Sequence, residues 1–132
     1  MKKLDWIIGR RRELATKYTA ALADHPWLQP PHVPDYAEPS FQSYAVTLTN
    51  QAPISRNELM QRLLDAGAST RRGIMLSHRE GPYSDKALPG ALSQSESASD
   101  RSLLLPLFPA MTDADQQIVI SVLRRALAAI TV

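Results

Sequence analysis

The sequence predicts an α+β fold: a two-layer lobe in which a small sheet of about three strands is covered on one face by helices. Three observations lead to this prediction. Apolar residues recur at helical spacing at both ends of the chain, short segments rich in β-forming residues lie between them, and capping or turn residues separate the segments. A chain of 132 residues has room for one domain or for one lobe of a larger protein.

A long helix is predicted to precede the sheet over residues 3–23, where apolar side chains recur at helical spacing between charged ones. Arg11 interrupts this stripe, which indicates that the helix faces something other than a uniform apolar core. The helix has almost no sequence and no capping residue in front of it, so we expect further protein upstream. Residues 25–39 hold five of the ten prolines and predict an extended connection.

The middle of the chain alternates strand and helix signals. Residues 41–49 are rich in β-formers and predict a strand. Ser55 and Glu58 have the spacing of a capping box at the start of a helix, and Gly67 stands where a glycine ends one. A second, shorter strand is predicted over residues 69–75.

The C-terminal part opens with a loop predicted over residues 77–91. Ser93 and Glu96 repeat the capping-box spacing ahead of a short helix. Residues 103–109 predict a buried strand that ends in prolines, and Thr112 is expected to cap the last helix. The apolar stripe of that helix consists of Ile118, Val119, Val122, Leu123, Ala126, Leu127 and Ile130.

Composition argues against several classes of function. The chain has no cysteine, and its three histidines lie apart without a second ligand at metal-binding spacing, so we predict neither a disulfide nor a zinc site. No apolar run approaches the roughly 20 residues that span a bilayer, and the N-terminus lacks the h-region of a signal peptide. We therefore expect a cytoplasmic protein.

The positive charge is too dispersed to predict nucleic-acid binding. The net charge is +2, and the eleven arginines are spread along the chain. Arg10, Arg11 and Arg12 are consecutive, but a helix distributes three consecutive residues over about 200° of its circumference. No aromatic residues are interleaved with them to stack bases, so a solvated helix face is the expected interpretation.

Four segments stand out in order along the chain. They are KLDW with RRRELA and Tyr18 at residues 3–18, FQSY at residues 41–44, AGASTRRGIM with HRE and PY at residues 66–83, and LLLPLFPAMT at residues 103–112. In this order and spacing they resemble the C-terminal part of the DegT/DnrJ/StrS-type sugar aminotransferases. The first segment is similar to the interdomain helix of that family, and the resemblance covers nearly the whole chain.

The resemblance implies that residues 1–132 are the small C-terminal domain of a fold-type-I enzyme. Such enzymes use pyridoxal phosphate to transfer an amino group, often from glutamate, to a keto sugar attached to a nucleotide, and they act as dimers. It also implies that the large domain, which holds the Schiff-base lysine, is absent. Because none of Lys2, Lys3, Lys17 and Lys86 matches the lysine motif, we expect no bound cofactor and no activity from this chain alone.

Two groups of polar residues are candidates for contacts with substrate or cofactor. In the predicted loop, His78, Arg79 and Tyr83 offer directional donors to a sugar hydroxyl or a nucleotide phosphate. The alternative for these three is an ordinary polar surface loop.

The second group lies on the predicted strands. Arg71 and Arg72 point to opposite faces of a strand, so at most one of them faces a ligand cleft, and the other is a solvated or ion-paired arginine. Gln42 and Ser43, at the start of the first strand, are candidates for hydrogen bonds on the cofactor side of a cleft. The alternative is that they only cap the strand.

Other functions stay open. One is a stand-alone module derived from this family that binds a small ligand or forms dimer contacts. Another is a basic nucleic-acid-binding domain. We also expect a homo-oligomer, because the surfaces made for the large domain, including part of the first helix, would expose apolar side chains.

Overall fold

The computed structural model describes residues 3–83 and 92–129. Helices and short strands alternate along these ranges, and the predicted α+β class is confirmed. The elements in chain order are α1 (Leu4–Leu22), β1 (Leu28–Gln29), β2 (Tyr44–Leu48), α2 (Arg56–Asp65), β3 (Arg71–Arg72), a 3-10 turn (Ser77–Arg79), α3 (Ser93–Arg101), β4 (Ser102–Leu105) and α4 (Asp113–Ala128).

The strands form one antiparallel sheet in the order β1-β2-β4-β3. β2 and β4 pair at its centre, with Tyr44 opposite Leu105. β3 pairs with β4 at one edge, where Arg71 lies opposite Leu104. The chain must therefore cross the sheet between β2 and β3, and α2 makes that connection.

The sheet has one strand more than expected, because β1 lies in the segment predicted to be an extended connection. Leu28 and Gln29 pair with the last residues of β2, immediately before the backbone reaches Pro30. Two residues between prolines carry no recognisable strand pattern. The pairing is determined by β2, which offers an unpaired edge beside them.

The other strands are shorter than predicted. β2 begins at Tyr44 rather than at residue 41, and β3 covers only Arg71 and Arg72 of the predicted residues 69–75. β4 ends at Leu105 because the next residue, Pro106, has no N–H to continue the ladder.

One face of the sheet carries the hydrophobic core. Tyr44, Val46 and Leu48 alternate inward along β2, and Leu103 and Leu105 do the same along β4. They share one buried cluster with apolar residues of α1, α2 and α4. The opposite face is only half buried, which confirms the predicted two-layer arrangement. Within the described ranges no helix has both the length and the apolar character needed to cross a bilayer.

Three helix ends carry the predicted signals. The Ser55 hydroxyl accepts a hydrogen bond from the Glu58 N–H at the start of α2, although the Glu58 carboxylate pairs with Arg62 instead of completing a capping box. Gly67 has a φ of +87° and follows the end of α2, as predicted for a C-terminal glycine. At α4, Thr112 forms a reciprocal capping box with Asp115.

Two sequence predictions about helices are wrong. Ser93 does not cap α3: the N-cap is Leu92, without a side-chain hydrogen bond, and Glu96 bonds to His78 instead. The predicted stripe of α4 is confirmed at Val119, Val122, Leu123 and Leu127, which are buried. It is wrong at Ile118, which is 60% exposed, while Gln116 is 1% exposed. Residues two positions apart are separated by about 200° around a helix, so Gln116 and Ile118 cannot both face the core. Ile130 lies outside the described residues.

Candidate functional site

A depression of about 250 Å³ brings together three of the predicted site residues, namely Gln42, Ser43 and Arg71. Its remaining wall comes from residues 69–70, just before β3, and from residues 104–107, at the end of β4 and beyond. The sheet explains the juxtaposition, because Arg71 lies opposite Leu104, which is also paired with β2. Side chains at paired positions share one face of a sheet, so Arg71 projects toward the half-buried side on which the depression opens.

The backbone at Phe41 positions the first two of these residues. Phe41 has a φ of +46°, in the left-handed region that an aromatic residue rarely occupies. Its ring lies 6.1 Å from the ring of Tyr44 and packs against the core. Gln42 and Ser43 follow this turn and are both exposed. The packed ring therefore holds a strained backbone in place immediately beside the depression.

The structure places the two neighbouring arginines on different sides of the sheet. Arg71 lines the depression just described, whereas Arg72 lines an adjoining recess of about 270 Å³ beside α2. Neither guanidinium makes a hydrogen bond or an ion pair with any of the described residues. Arg71 is therefore the arginine that lies with Gln42 and Ser43.

His78 and Arg79 are held by α3 and do not line this depression. His78 Nε2 lies 3.0 Å from Glu96 Oε1, and Arg79 Nη2 lies 3.2 Å from Asp100 Oδ2. The hydrogen bond from Arg79 is the main cause that lowers the pKa of the Asp100 carboxyl. Tyr83 is half exposed at the end of the first described range.

Sequence reasoning missed a groove of about 710 Å³ between α1 and the proline-rich segment. Arg12 closes one end, since its Nε donates to the carbonyl oxygen of Pro39 at 3.0 Å and its Nη2 to that of Glu38 at 3.1 Å. The floor is largely apolar and includes Ala20 and Phe41. Small residues on α1 opposite a proline-rich segment were the only sequence signal for it.

The described lysines do not fit a covalent site for pyridoxal phosphate. Lys17 Nζ lies 2.7 Å from Glu13 Oε1 and 2.8 Å from Asp113 Oδ1. Hydrogen bonds to Asp113 and Glu13 raise the pKa of Lys17, which favours the ammonium form, whereas a Schiff-base lysine must reach the neutral amine. Lys3 is exposed before α1. Lys2 and Lys86 lie outside the described residues.

Comparison with known proteins shows the family of this chain. The profile of the DegT/DnrJ/EryC1/StrS aminotransferase family matches residues 1–124. The chain belongs to this family. It is 38% identical over 128 residues to the dTDP-4-dehydro-2,3,6-trideoxy-D-glucose 4-aminotransferase of Saccharopolyspora spinosa, a match that covers 96% of this chain and 31% of the relative.

Solved structures share the fold of this chain. TlmJ from Streptoalloteichus hindustanus is 30% identical, with a TM-score of 0.86 over 99% of this chain and 34% of its own. DesV from S. venezuelae, in complex with a ketimine intermediate, is 28% identical, with a TM-score of 0.83 over 94% of this chain and 33% of its own.

The chain thus spans about a third of the length of the relatives it matches. The resemblance to the C-terminal small domain of the family is confirmed by the family profile and by the shared fold.

Proposed function

We propose that this chain is the small domain of a pyridoxal-phosphate-dependent aminotransferase that acts on a keto sugar attached to a nucleotide. The observation that carries the proposal is the depression in which Gln42, Ser43 and Arg71 meet. In the assembled enzyme this surface closes one side of the substrate cleft. The identity of the S. spinosa relative supports the substrate class.

Each of these residues has a distinct part in this proposal. The guanidinium of Arg71, which has no partner among the described residues, binds an anionic group of the substrate or cofactor. Its fork of N–H donors matches a phosphate or a carboxylate. The Gln42 amide and the Ser43 hydroxyl orient sugar hydroxyls. We propose His78, Arg79 and Tyr83 as a second contact region, in which α3 holds the first two.

The chain by itself does not catalyse the reaction in this proposal. Pyridoxal phosphate, when bound, supplies the electron sink of the amino transfer. Its lysine comes from a large domain that corresponds to the unmatched two thirds of the relatives, on the same polypeptide or on another. We place the assembled enzyme in the cytoplasm as a homo-oligomer.

The decisive experiment is an exchange of domains. We expect amino transfer to survive when the matching third of the S. spinosa enzyme is replaced by this chain. Arg71→Gln in the chimera is expected to lower kcat/KM at least about tenfold, since a guanidinium–anion bond is lost. Arg125→Gln, another arginine without a partner among the described residues, is the matched control and leaves activity unchanged. A folded but inactive chimera, or equal effects of the two variants, contradicts the proposal.

A second experiment addresses the isolated chain. After incubation with pyridoxal phosphate and reduction with borohydride, peptide mapping is expected to show scattered, substoichiometric labelling of lysines. A stoichiometric adduct on one lysine would show that the chain binds the cofactor covalently on its own. That result would overturn the proposed need for a large domain.

The groove of about 710 Å³ favours a second candidate, a stand-alone module that binds a small ligand or forms dimer contacts. Its volume lies within the range of about 300–1,000 Å³ typical of ligand sites. A chimera that folds but stays inactive, together with an isolated chain that forms a stable dimer, would favour this candidate over the first.

A further inference from the structure

We propose that the recess between α2 and β3 binds one oxyanion, the phosphate or carboxylate group of a ligand, through Arg72, Thr70 and Asn57. Arg72 pairs with Leu103, whose side chain is fully buried in the core, so the recess lies on the helix-covered side of the sheet. The depression around Arg71 opens on the other side. The two sites adjoin, because Ser69 and Thr70 line both of them, but each has its own arginine. The inference therefore goes beyond the function proposed above.

Among the described residues, no carboxylate is bonded to the arginines at this corner. Arg72 has no acidic partner among the described residues, and the residues that line the recess include no Asp or Glu. Arg56 lies nearby and is 8% exposed, and its Nη1 donates to the carbonyl oxygens of Ser99 at 3.2 Å and of Ser102 at 3.3 Å. Two guanidinium groups thus lie near each other, and neither has a bonded carboxylate within the described ranges.

The electrostatics of Arg56 agree with this arrangement. Burial and then the charge of Arg72 lower the pKa of Arg56, while Asp100 acts in the opposite direction. Asp100 is already bound by Arg79, at 2.5 Å between Oδ1 and Nη1. Its charge is therefore shared with another cation, so the corner still favours an incoming anion.

Two further donors line the recess. The Thr70 hydroxyl is buried and has no hydrogen-bond partner among the described residues. A buried hydroxyl without a partner is costly, so a ligand oxygen that accepts from it is stabilised. The Asn57 Oδ1 accepts from Arg56 Nε at 2.8 Å, which leaves the amide Nδ2 of Asn57 as a donor.

The size of the recess limits what it binds. Its volume is about 270 Å³, just below the range of about 300–1,000 Å³ that encloses a whole drug-sized ligand. One phosphate or carboxylate group fits, whereas a complete nucleotide sugar does not. Met60 and Leu64 form an apolar wall that would contact the carbon skeleton next to the anionic group.

Titration of the chain with sodium phosphate, and separately with sodium acetate, at constant ionic strength and followed by ¹H–¹⁵N NMR tests this site. We expect saturating shifts of the Thr70 and Arg72 amides and of the Asn57 side chain. Saturation by phosphate alone identifies a phosphate-bearing ligand, and saturation by acetate alone identifies a carboxylate. Arg72→Gln is expected to raise the Kd at least about tenfold, because it removes the charge-assisted bonds.

Arg125→Gln serves as the matched control and leaves the Kd unchanged. Thr70→Val tests the hydroxyl independently and is expected to weaken binding several-fold. Unchanged resonances elsewhere show that each variant is folded. Shifts that grow linearly with both salts overturn the proposal, and so does a Kd for Arg72→Gln equal to that for Arg125→Gln.

Discussion

The side-chain Nε2 of Gln116 donates a hydrogen bond of 2.7 Å to the main-chain carbonyl oxygen of Leu14. Gln116 is 1% exposed and Leu14 is fully buried, so water cannot replace either partner. The bond connects α4 to α1 through the middle of the core. Because a buried amide without a partner is costly, the bond also disfavours any sliding of one helix against the other.

We expect Gln116→Met to lower the free energy of unfolding by about 1 kcal/mol, the typical net contribution of a buried hydrogen bond. Methionine keeps the length of the side chain, so the lost bond dominates the effect. Urea unfolding measures the change. Gln117→Met, on the exposed side of the same helix, is the control, and equal losses in the two variants would argue against the role of the bond.

Gly73→Ala is expected to destabilise the protein by about 1–3 kcal/mol, the usual cost of forcing extra atoms into a packed site. A Cβ at Gly73 would lie 2.1 Å from Ser102 Oγ and 2.8 Å from Ser102 Cβ. Thermal or urea unfolding measures the loss. Ser102→Gly in the Gly73→Ala background removes both clashing atoms and should restore part of the stability.

Gly9→Ala is expected to have the opposite effect. Gly9 lies inside α1, and a Cβ there would meet nothing within 4 Å. Alanine reduces the backbone freedom that folding must restrict, so the free energy of unfolding should rise by about 0.5–1 kcal/mol. A loss of stability on urea unfolding would contradict this prediction, because it would mean that other atoms of the protein contact α1 at Gly9.

The ion pairs of Asp113 predict a loss of stability in acid. Hydrogen bonds from Lys17 and then Arg10 lower the pKa of Asp113 below its ordinary value of 3.8. The unfolded chain therefore binds a proton at Asp113 more readily than the folded one. The ion pairs of Asp113 therefore contribute fully to the free energy of unfolding at pH values above the ordinary pKa. This contribution is lost as the pH falls through the lower pKa of the folded state.

Urea unfolding as a function of pH tests this linkage. Asp113→Asn is expected to be less stable than the wild type near neutral pH, and the difference should shrink in the acid window below 3.8. High salt should also reduce the difference in stability between the two proteins, because salt screens the charges of exposed side chains. Asp35→Asn, an exposed acid without an ion pair to the described residues, should follow the wild type. A constant difference at every pH would contradict the linkage.

Exposed apolar residues on α1 predict self-association. Trp6 is 60% exposed and Leu4 is 43% exposed near the start of the helix. We expect a sedimentation coefficient that rises with concentration, and Trp6→Lys is expected to reduce this rise. Tyr36→Lys, at a side chain that is 91% exposed, is the control. A strictly monomeric profile over a wide concentration range would count against this expectation.

The sequence predicted the elements whose apolar repeat spans several turns and the helix ends that a capping residue or a glycine marks. The repeat of apolar residues in α1 spans several turns, and Thr112 and Gly67 mark helix ends through bonds to their immediate neighbours. The residues at which the short strands begin and end were not predictable. β3 is two residues long, and its bounds depend on where β4 pairs with it.

The candidate site likewise has features that the sequence predicted and features that it did not. Opposite faces for Arg71 and Arg72 follow from the alternation of a strand, and the structure places them in separate recesses. That His78 and Arg79 pair with acids of α3 required the docking of that helix against the loop. Whether Gln42, Ser43 and Arg71 bind substrate stays a prediction.

The sequence by itself determined the α+β class, the helix positions and the family, because periodicity, caps and motif order are properties of neighbouring residues along the chain. Only the tertiary structure decided which polar side chains meet. Gln116 with Leu14, and Arg71 with Gln42, are brought together by helix docking and strand pairing. Such contacts between distant residues are determined by how the core packs, and no local pattern in the sequence encodes them.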